Sequence, residues 1–307
     1  MELVVIGSSN VDLVITLPKI PAIGETVLGG KSAMIFGGKG ANQAVTAIRS
    51  GGDVAFITKL GIDIFGENTK AHFLREGFPE KYILKDQHEA TGIAQIFVSA
   101  KGENSIAVAP GANMHLLPAD IQPFEAEIKK AKLVLAQLEI PIETVEYIAA
   151  FAARNQVKFI LNPAPAQTLS DALLKNTWLL TPNETEAEIL TGIKITGTDT
   201  AEKAAELLLQ KGVQHVIITM GENGCLLHDR SGTVHYKAYR EKAVDTTAAG
   251  DVFNGVLAVA ITKGFSFANA IETASAAAAI SVTRHGAQSS IPYQDEIEEY
   301  LASAKNT

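Results

Sequence analysis

Cysteine is almost absent from this chain. With one residue, Cys225, in 307, no intrachain disulfide can form, and the seven histidines are scattered without any Cys/His spacing suited to a structural zinc site. Long hydrophobic runs are missing too: no stretch approaches the roughly 18 uninterrupted apolar residues that a membrane span needs, so a soluble protein is expected. The start, Met1-Glu2 followed at once by the apolar run 3–6, carries neither the basic stretch nor the small-residue cleavage site of a signal peptide, which points to the cytoplasm. Positive charge is in short supply, 26 Lys and Arg against 34 Asp and Glu for a net charge of −8. No basic cluster could track a phosphate backbone, so nucleic-acid binding is unsupported and any anionic ligand needs a local site. No internal repeat or low-complexity tract is present. What remains is a globular composition, 47% hydrophobic and 20% charged, long enough for one large α/β domain or a domain with a small appendage.

Short apolar runs recur at 3–6, 54–57, 133–136, 159–161, 178–180 and 216–219, separated by amphipathic or alanine-rich stretches of helical length such as 201–211. This alternation predicts a doubly wound α/β domain, a mainly parallel sheet covered on both faces. Two regions break the rhythm. Residues 11–36 contain Pro18, Pro21, Gly24 and Gly29-Gly30, and residues 91–110 read as a hairpin, with 92–98 and 105–108 flanking a turn at 101–103. Together they predict a small β-sheet lid on a core made of 1–10, 37–90 and 111–307. Such a small sheet cannot cover its own apolar face, which points to self-association through the lid.

Ligands of open parallel sheets bind beyond the carboxyl ends of the strands. Asn10 and Asp12 follow the first apolar run two residues apart, so in an extended segment both side chains point one way and could hold adjacent hydroxyls; a turn with Asx capping is the competing reading. The cluster Gly37-Gly38-Lys39-Gly40-Ala41-Asn42-Gln43-Ala44 leads into a helical stretch and lets backbone N–H groups approach a ligand closely. It is not a Walker loop, because Ala33 stands where the first glycine belongs and Gly40 where the Ser or Thr belongs. Nor is it a dinucleotide fingerprint, because Gln43 takes the third glycine position, and an NAD-linked oxidoreductase loses its main support. Lys39 and Asn42 remain as donors suited to sugar oxygens. Glu139 adds a carboxylate after the run ending at 138. Asn183 and Glu186 form an Asn-x-x-Glu spacing at a helix start, where capping alone explains them. The 219–224 segment, Thr219-Met220-Gly221-Glu222-Asn223-Gly224, reads equally as a nucleotide-contacting loop or a hairpin turn.

The most informative segment is 244–255, Val-Asp-Thr-Thr-Ala-Ala-Gly-Asp-Val-Phe-Asn-Gly, followed by an apolar helical run to about 261. Its small residues let the amides of Ala248, Ala249 and Gly250 converge at a helix start as an anion hole for a transferring phosphoryl group. Asp251 lies in the same first turn, where the helix dipole favours its ionised form, able to accept a proton.

On these two segments, 37–44 and 245–255, the chain resembles the PfkB-type carbohydrate kinases, and within them the ribokinases, over essentially its whole length. The resemblance implies a ribokinase-like fold and transfer of phosphate from Mg-ATP to the 5-hydroxyl of D-ribose, with Asp251 as general base. It implies sugar contacts at Asn10, Asp12, Gly38, Lys39, Asn42, Glu139 and Asp251 beneath a lid that also forms a homodimer contact. Nucleotide contacts are implied at Asn183, Thr219, Gly221, Gly224, Gly250 and Ser275; at Ser275 several ribokinases carry a bulkier histidine or asparagine. A monovalent cation, normally potassium, is implied at Asp245, Thr247, Ser281, Arg284, Gly286 and Ser290, mostly through backbone carbonyls, and Glu186 matches a motif tied to the magnesium response. A 2-deoxyribokinase, another sugar kinase of the family, or a non-catalytic sugar-binding regulator are the alternatives.

Overall fold

Leu3, Val4, Val5 and Ile6 are all fully buried, as expected of a strand covered on both faces. They form β1 (Leu3–Ile6) of a computed structural model that describes residues 1–304; residues 305–307 of the predicted core range lie outside the described residues. The other strands are β2 (Asn10–Leu17), β3 (Lys31–Gly37), β4 (Val54–Gly61), β5 (Ile83–Asp86), β6 (Gly92–Ser99), β7 (Asn104–Ala109), β8 (Leu133–Ala136), β9 (Lys158–Leu161), β10 (Leu179–Leu180), β11 (His215–Thr219), β12 (Cys225–Asp229) and β13 (Gly232–Tyr236). Nine of them make one sheet in the order β13-β12-β11-β10-β9-β8-β1-β4-β5. Pairing is parallel from β11 to β5, and β12 and β13 are added antiparallel at one edge.

Alternate residues of β1 serve opposite faces. Leu3 and Val5 pack with helices Lys39–Arg49, Ala249–Thr262 and Phe267–Val282, while Val4 and Ile6 pack with Ile142–Arg154 and Thr198–Gln210. Ala249–Thr262 is buried at every position from Asp251 to Thr262. Its run of small and apolar residues lets it lie between two helices and the sheet, and this carries an aspartate into the interior. No helix among the described residues is long and apolar enough to cross a membrane.

The remaining four strands form a separate sheet in the order β3-β2-β6-β7. β2 pairs antiparallel with β3, and β6 with β7, while β2 and β6 run parallel. Asn10 and Gly37, the termini of the first pair, face each other in register. β7 is exposed along its whole length, and Met34, Ile106 and Val108 show 46%, 54% and 55% of their surface.

Candidate active site

The chain leaves β1 toward β4 on one side, whereas β8 lies on the other, so the strand order reverses here and the carboxyl ends of β1 and β8 open a crevice. Residues from both strand ends close on each other across it. Ser8 Oγ donates to Glu139 Oε2 at 2.6 Å, the Lys39 amide donates to the same oxygen at 3.0 Å, and the Gly40 amide donates to Ser8 Oγ at 3.2 Å. A carboxylate is thus held at the N-terminus of helix Lys39–Arg49, where the dipole favours it, with Gly38 at the cap. Gly40 permits this approach: a Cβ there would lie 2.5 Å from the Ser8 nitrogen and 2.6 Å from the Gly7 carbonyl carbon, both rigid backbone. Gly40→Ala is therefore expected to cost about 1–3 kcal/mol by overpacking, read as a lower melting temperature.

Asp251 is 7% exposed and does not cap its helix. The cap position, Ala248, has no side-chain cap bond and sits at φ 62°, and the carboxylate instead accepts from Asn42 Nδ2 and Gln43 Nε2, both at 2.9 Å. Burial is the largest influence on its acidity and pushes its pKa up; Lys39, Asn42 and Gln43 pull it down, and Glu139 adds to the rise. The net direction is upward, which corrects the expectation from the helix dipole alone: desolvation in the packed first turn outweighs it.

A buried amide network behind Asp251 has no counterpart among the predicted residues. Gln137 Nε2 donates to Gln43 Oε1 at 2.6 Å, so Gln43 must turn its amino group to Asp251 and to Asn162 Oδ1. Asn162 donates onward to the Thr181 carbonyl, Thr181 Oγ1 to Asn254 Oδ1, and Asn254 Nδ2 to the Gly250 carbonyl. Asp251 and the turn preceding it are therefore braced by residues following β8, β9 and β10.

Asn10 and Asp12 lie two apart on β2, on one face as the spacing predicts. Burial raises the Asp12 pKa to about 6, and the Glu139 charge adds to the effect. The Lys39 ammonium is buried, which disfavours its charge, but Asp251, Glu139 and Glu186 outweigh that and hold its pKa above the ordinary value. One ammonium thus faces the carboxylates of Glu139, Asp251 and Glu186. Asn42 has its Oδ1 buried without a hydrogen-bond partner.

Further along the sheet, Asn183 and Glu186 form the reciprocal capping box predicted for that spacing: the Glu186 amide donates to Asn183 Oδ1 and the Asn183 amide to Glu186 Oε2. Glu186 is nonetheless buried toward the crevice. Burial raises its pKa, Lys39 opposes the rise and Asp251 reinforces it. Thr219 bridges to Asn183, and residues 219–224 make the tight connection of the antiparallel pair β11 and β12, with Gly221–Asn223 as a 3-10 turn. Tyr236, paired with Cys225 next to Gly224, also lines a cavity of about 270 Å³ with Lys237, Tyr239, Ala268, Ile271, Glu272 and Ser275.

The 245–250 segment is anchored to the 281–290 loop. The Val244 and Asp245 amides donate to the Val282 carbonyl, and the Asp245 carboxylate accepts from the Thr247 and Gly286 amides, both at 2.9 Å. Burial raises the Asp245 pKa, but the hydrogen bonds from Thr247 and Gly286 overcome this and hold it below the usual value. Ser281 and Ser290 are buried and donate their hydroxyls to the Ala278 and Ala287 carbonyls, and the Arg284 guanidinium is engaged with Glu296, leaving its carbonyl as its only contribution here. Of the three amides predicted to form an anion hole, that of Ala249 donates to the Thr246 carbonyl at 3.3 Å, so the converging set is smaller than the sequence suggests.

The sequence and the fold both have counterparts among known proteins. The chain is 46% identical over 302 residues to the ribokinase of Haemophilus influenzae, covering 98% of this chain and 99% of that protein. It is 40% identical over 303 residues to a deoxyribokinase of Salmonella typhimurium, with 98% and 99% covered. It superimposes on the ribokinase of Arabidopsis thaliana complexed with ribose and ATP with a TM-score of 0.91 at 30% identity, covering 98% of each chain. The model of the pfkB family carbohydrate kinases matches residues 1–294, a span that takes in both glycine-containing segments, the buried aspartate and the strands of the small sheet, and so the chain belongs to that family.

Proposed function

We propose that this protein phosphorylates D-ribose at its 5-hydroxyl with ATP, yielding D-ribose 5-phosphate and ADP. The observation that carries the reading is Asp251: a buried carboxylate with a raised pKa, held by two amide donors at the start of a helix whose first residues are Ala, Gly and Asp. Full-length similarity to a ribokinase supports the choice of sugar.

In this reading Asp12 and Asn10 hold sugar hydroxyls, Glu139 fixes the Lys39 loop against them, and the primary hydroxyl points at Asp251. Asp251 takes the proton of that hydroxyl as its oxygen attacks the γ-phosphorus, the bond to the β-bridging oxygen breaks, and ADP leaves. Lys39 and the amides of Ala248 and Gly250 face the developing charge. Asn183 and the 219–224 turn, with the cavity beside Ser275, receive the nucleotide. The lid excludes water that would otherwise compete for the phosphoryl group.

Among the described residues no group of three or more His, Cys, Asp or Glu side chains could hold a metal. A magnesium ion would arrive on the phosphates and be completed by one or two carboxylates. Glu186 fits this role, because the crevice carries more carboxylates than ammonium groups. Magnesium when bound neutralises phosphate charge. A potassium ion would be held by oxygens of Asp245, Thr247, Ser281, Arg284, Gly286 and Ser290, where the hydrogen bonds from Thr247 and Gly286 keep the Asp245 pKa below its usual value; it would steady the anion-hole segment. We also infer a homodimer that covers Met34, Ile106 and Val108 of the lid. ATP as donor favours a cytoplasmic setting.

Since the Asp12 pKa is raised to about 6, its charge is lost as pH falls through that value, and with it the acceptor for a sugar hydroxyl. The KM for ribose is expected to climb below about pH 6 while the KM for ATP stays level. Asp12→Asn is expected to raise the KM and abolish this dependence. A flat ribose KM from pH 5 to 8 in the parent protein would contradict the assignment.

Phosphorylation of 2-deoxyribose is the second reading, favoured by the 40% identity to a deoxyribokinase. Phosphorus NMR of the product formed from each pentose, with potassium or sodium present, separates the two and locates the phosphate. A product phosphorylated anywhere other than the primary carbon would overturn the proposed geometry.

A further inference from the structure

Asn113 is 2% exposed and lies in the 3-10 turn Gly111–His115, where the chain re-enters the core after β7. Neither its position nor its neighbours mark it in the sequence. Its side chain makes three hydrogen bonds: Oδ1 accepts from the Ser9 amide at 2.8 Å, and Nδ2 donates to the Ser9 carbonyl at 3.2 Å and to Asn10 Oδ1 at 2.7 Å. The orientation of an asparagine amide is ordinarily ambiguous. Here it is not, because a backbone N–H can only donate and a backbone carbonyl can only accept. The Ser9 backbone therefore fixes Asn113, and Asn113 in turn fixes Asn10, whose oxygen is turned toward Asn113 Nδ2.

We propose that Asn113 is a positioning residue for sugar recognition, setting the polarity of Asn10 so that it offers its Nδ2 donor, never its oxygen, to the vicinal diol of a furanose. This rests on the reading of Asn10 as a sugar contact. The consequence is a directional pair on β2. Asn10 donates to a hydroxyl oxygen while the Asp12 carboxylate accepts a hydroxyl proton, so a diol satisfies both and a site with two acceptors would not distinguish the hydroxyls' direction. Space for the Asn10–Asn113 contact comes from Gly92, the partner of Asn10 across β6. A Cβ there would stand 2.3 Å from both Asn10 Oδ1 and Asn113 Nδ2. Because β6 and β7 belong to the small sheet, the relay also ties the base of the lid to the sugar contact.

Asn113→Asp tests this with almost no change in size. The new carboxylate still accepts from the Ser9 amide but opposes both the Ser9 carbonyl and the Asn10 oxygen; of these only the Asn10 amide can rotate, and it then presents its acceptor to the sugar. The expected result is a rise in ribose KM of roughly 10- to 100-fold, with kcat at saturating ribose and the KM for ATP changed by less than about threefold. In an Asn10→Ala background the same substitution should add less than about twofold, since it acts through Asn10. An unchanged ribose KM in Asn113→Asp, beside a raised one in Asn10→Ala, overturns the relay and leaves the sugar site standing. An unchanged KM in Asn10→Ala removes Asn10 from the sugar site and the relay with it. Should Asn113→Asp fail to fold, Asn10→Asp, which keeps Asn113 as donor and turns a second acceptor to the sugar, must give the same loss; a parental KM there overturns the proposal.

Discussion

Asp251→Asn is expected to lower turnover by roughly 10²–10⁴, the range for removal of a general base, with little change in either KM. The variant should fold. Asn42 has a buried, unpartnered Oδ1, so its amide can turn to accept from the new side-chain amide where Nδ2 now donates to the carboxylate. Stability should not fall either. The folded-state pKa of Asp251 is raised, so the native protein binds that proton more tightly than the unfolded chain. From this group alone, stability increases as pH drops from the raised value toward the ordinary aspartate range, and the ionised form at neutral pH is a cost that a neutral amide avoids. Steady-state kinetics with a thermal melt checks both halves. A variant that melts like the parent and retains parental turnover would remove Asp251 from the chemistry.

Gln43→Leu should have the next largest effect. Its Nε2 is the donor to Asp251 Oδ1 and to Asn162, and its Oε1 is the acceptor for Gln137, so leucine of similar size leaves three buried polar groups without this partner. Loss of one hydrogen bond to a charged group is worth about 1.5–3 kcal/mol, or roughly 10- to 100-fold in rate if the bond is fully expressed in the transition state. Gln43 also pulls the Asp251 pKa down. Its removal lets the pKa rise further, so the acid limb of kcat/KM should move to higher pH, and the deficit should be greatest in acid and shrink as pH increases. A parallel loss at every pH would mean that Gln43 only supports the fold.

Six of the nine strands of the large sheet were legible because burial on both faces leaves unbroken apolar runs, and β1 is such a run; β5, β12 and β13, at the two edges, were not. The small sheet showed itself through interruption, its hairpin turn at 101–103 flanked by paired strands. That β2 and β6 pair in parallel across some eighty intervening residues was not legible, since nothing local encodes a long-range parallel pairing. Asn10, Asp12, Lys39, Glu139 and Asp251 could be picked out by residue type and by position after apolar runs. The buried amides could not. Gln43 registered only as the residue that spoils a dinucleotide fingerprint, and Gln137, Asn162, Thr181, Asn254 and Asn113 carry no spacing pattern because their partners lie far away in the chain. The direction of the Asp251 shift was misjudged for a related reason: the helix dipole is local and readable, whereas desolvation depends on how tightly other elements close over the first turn.

The most direct test of the central claim is ADP formation by the purified protein with Mg-ATP, comparing kcat/KM for D-ribose and 2-deoxyribose, with fructose and adenosine as further acceptors. D-ribose should be the preferred acceptor, with ADP release dependent on it. A preference for another acceptor would keep Asp251 and the fold but contradict the roles given to Asn10 and Asp12, and silence with every acceptor from folded protein that still binds ATP would contradict the kinase itself.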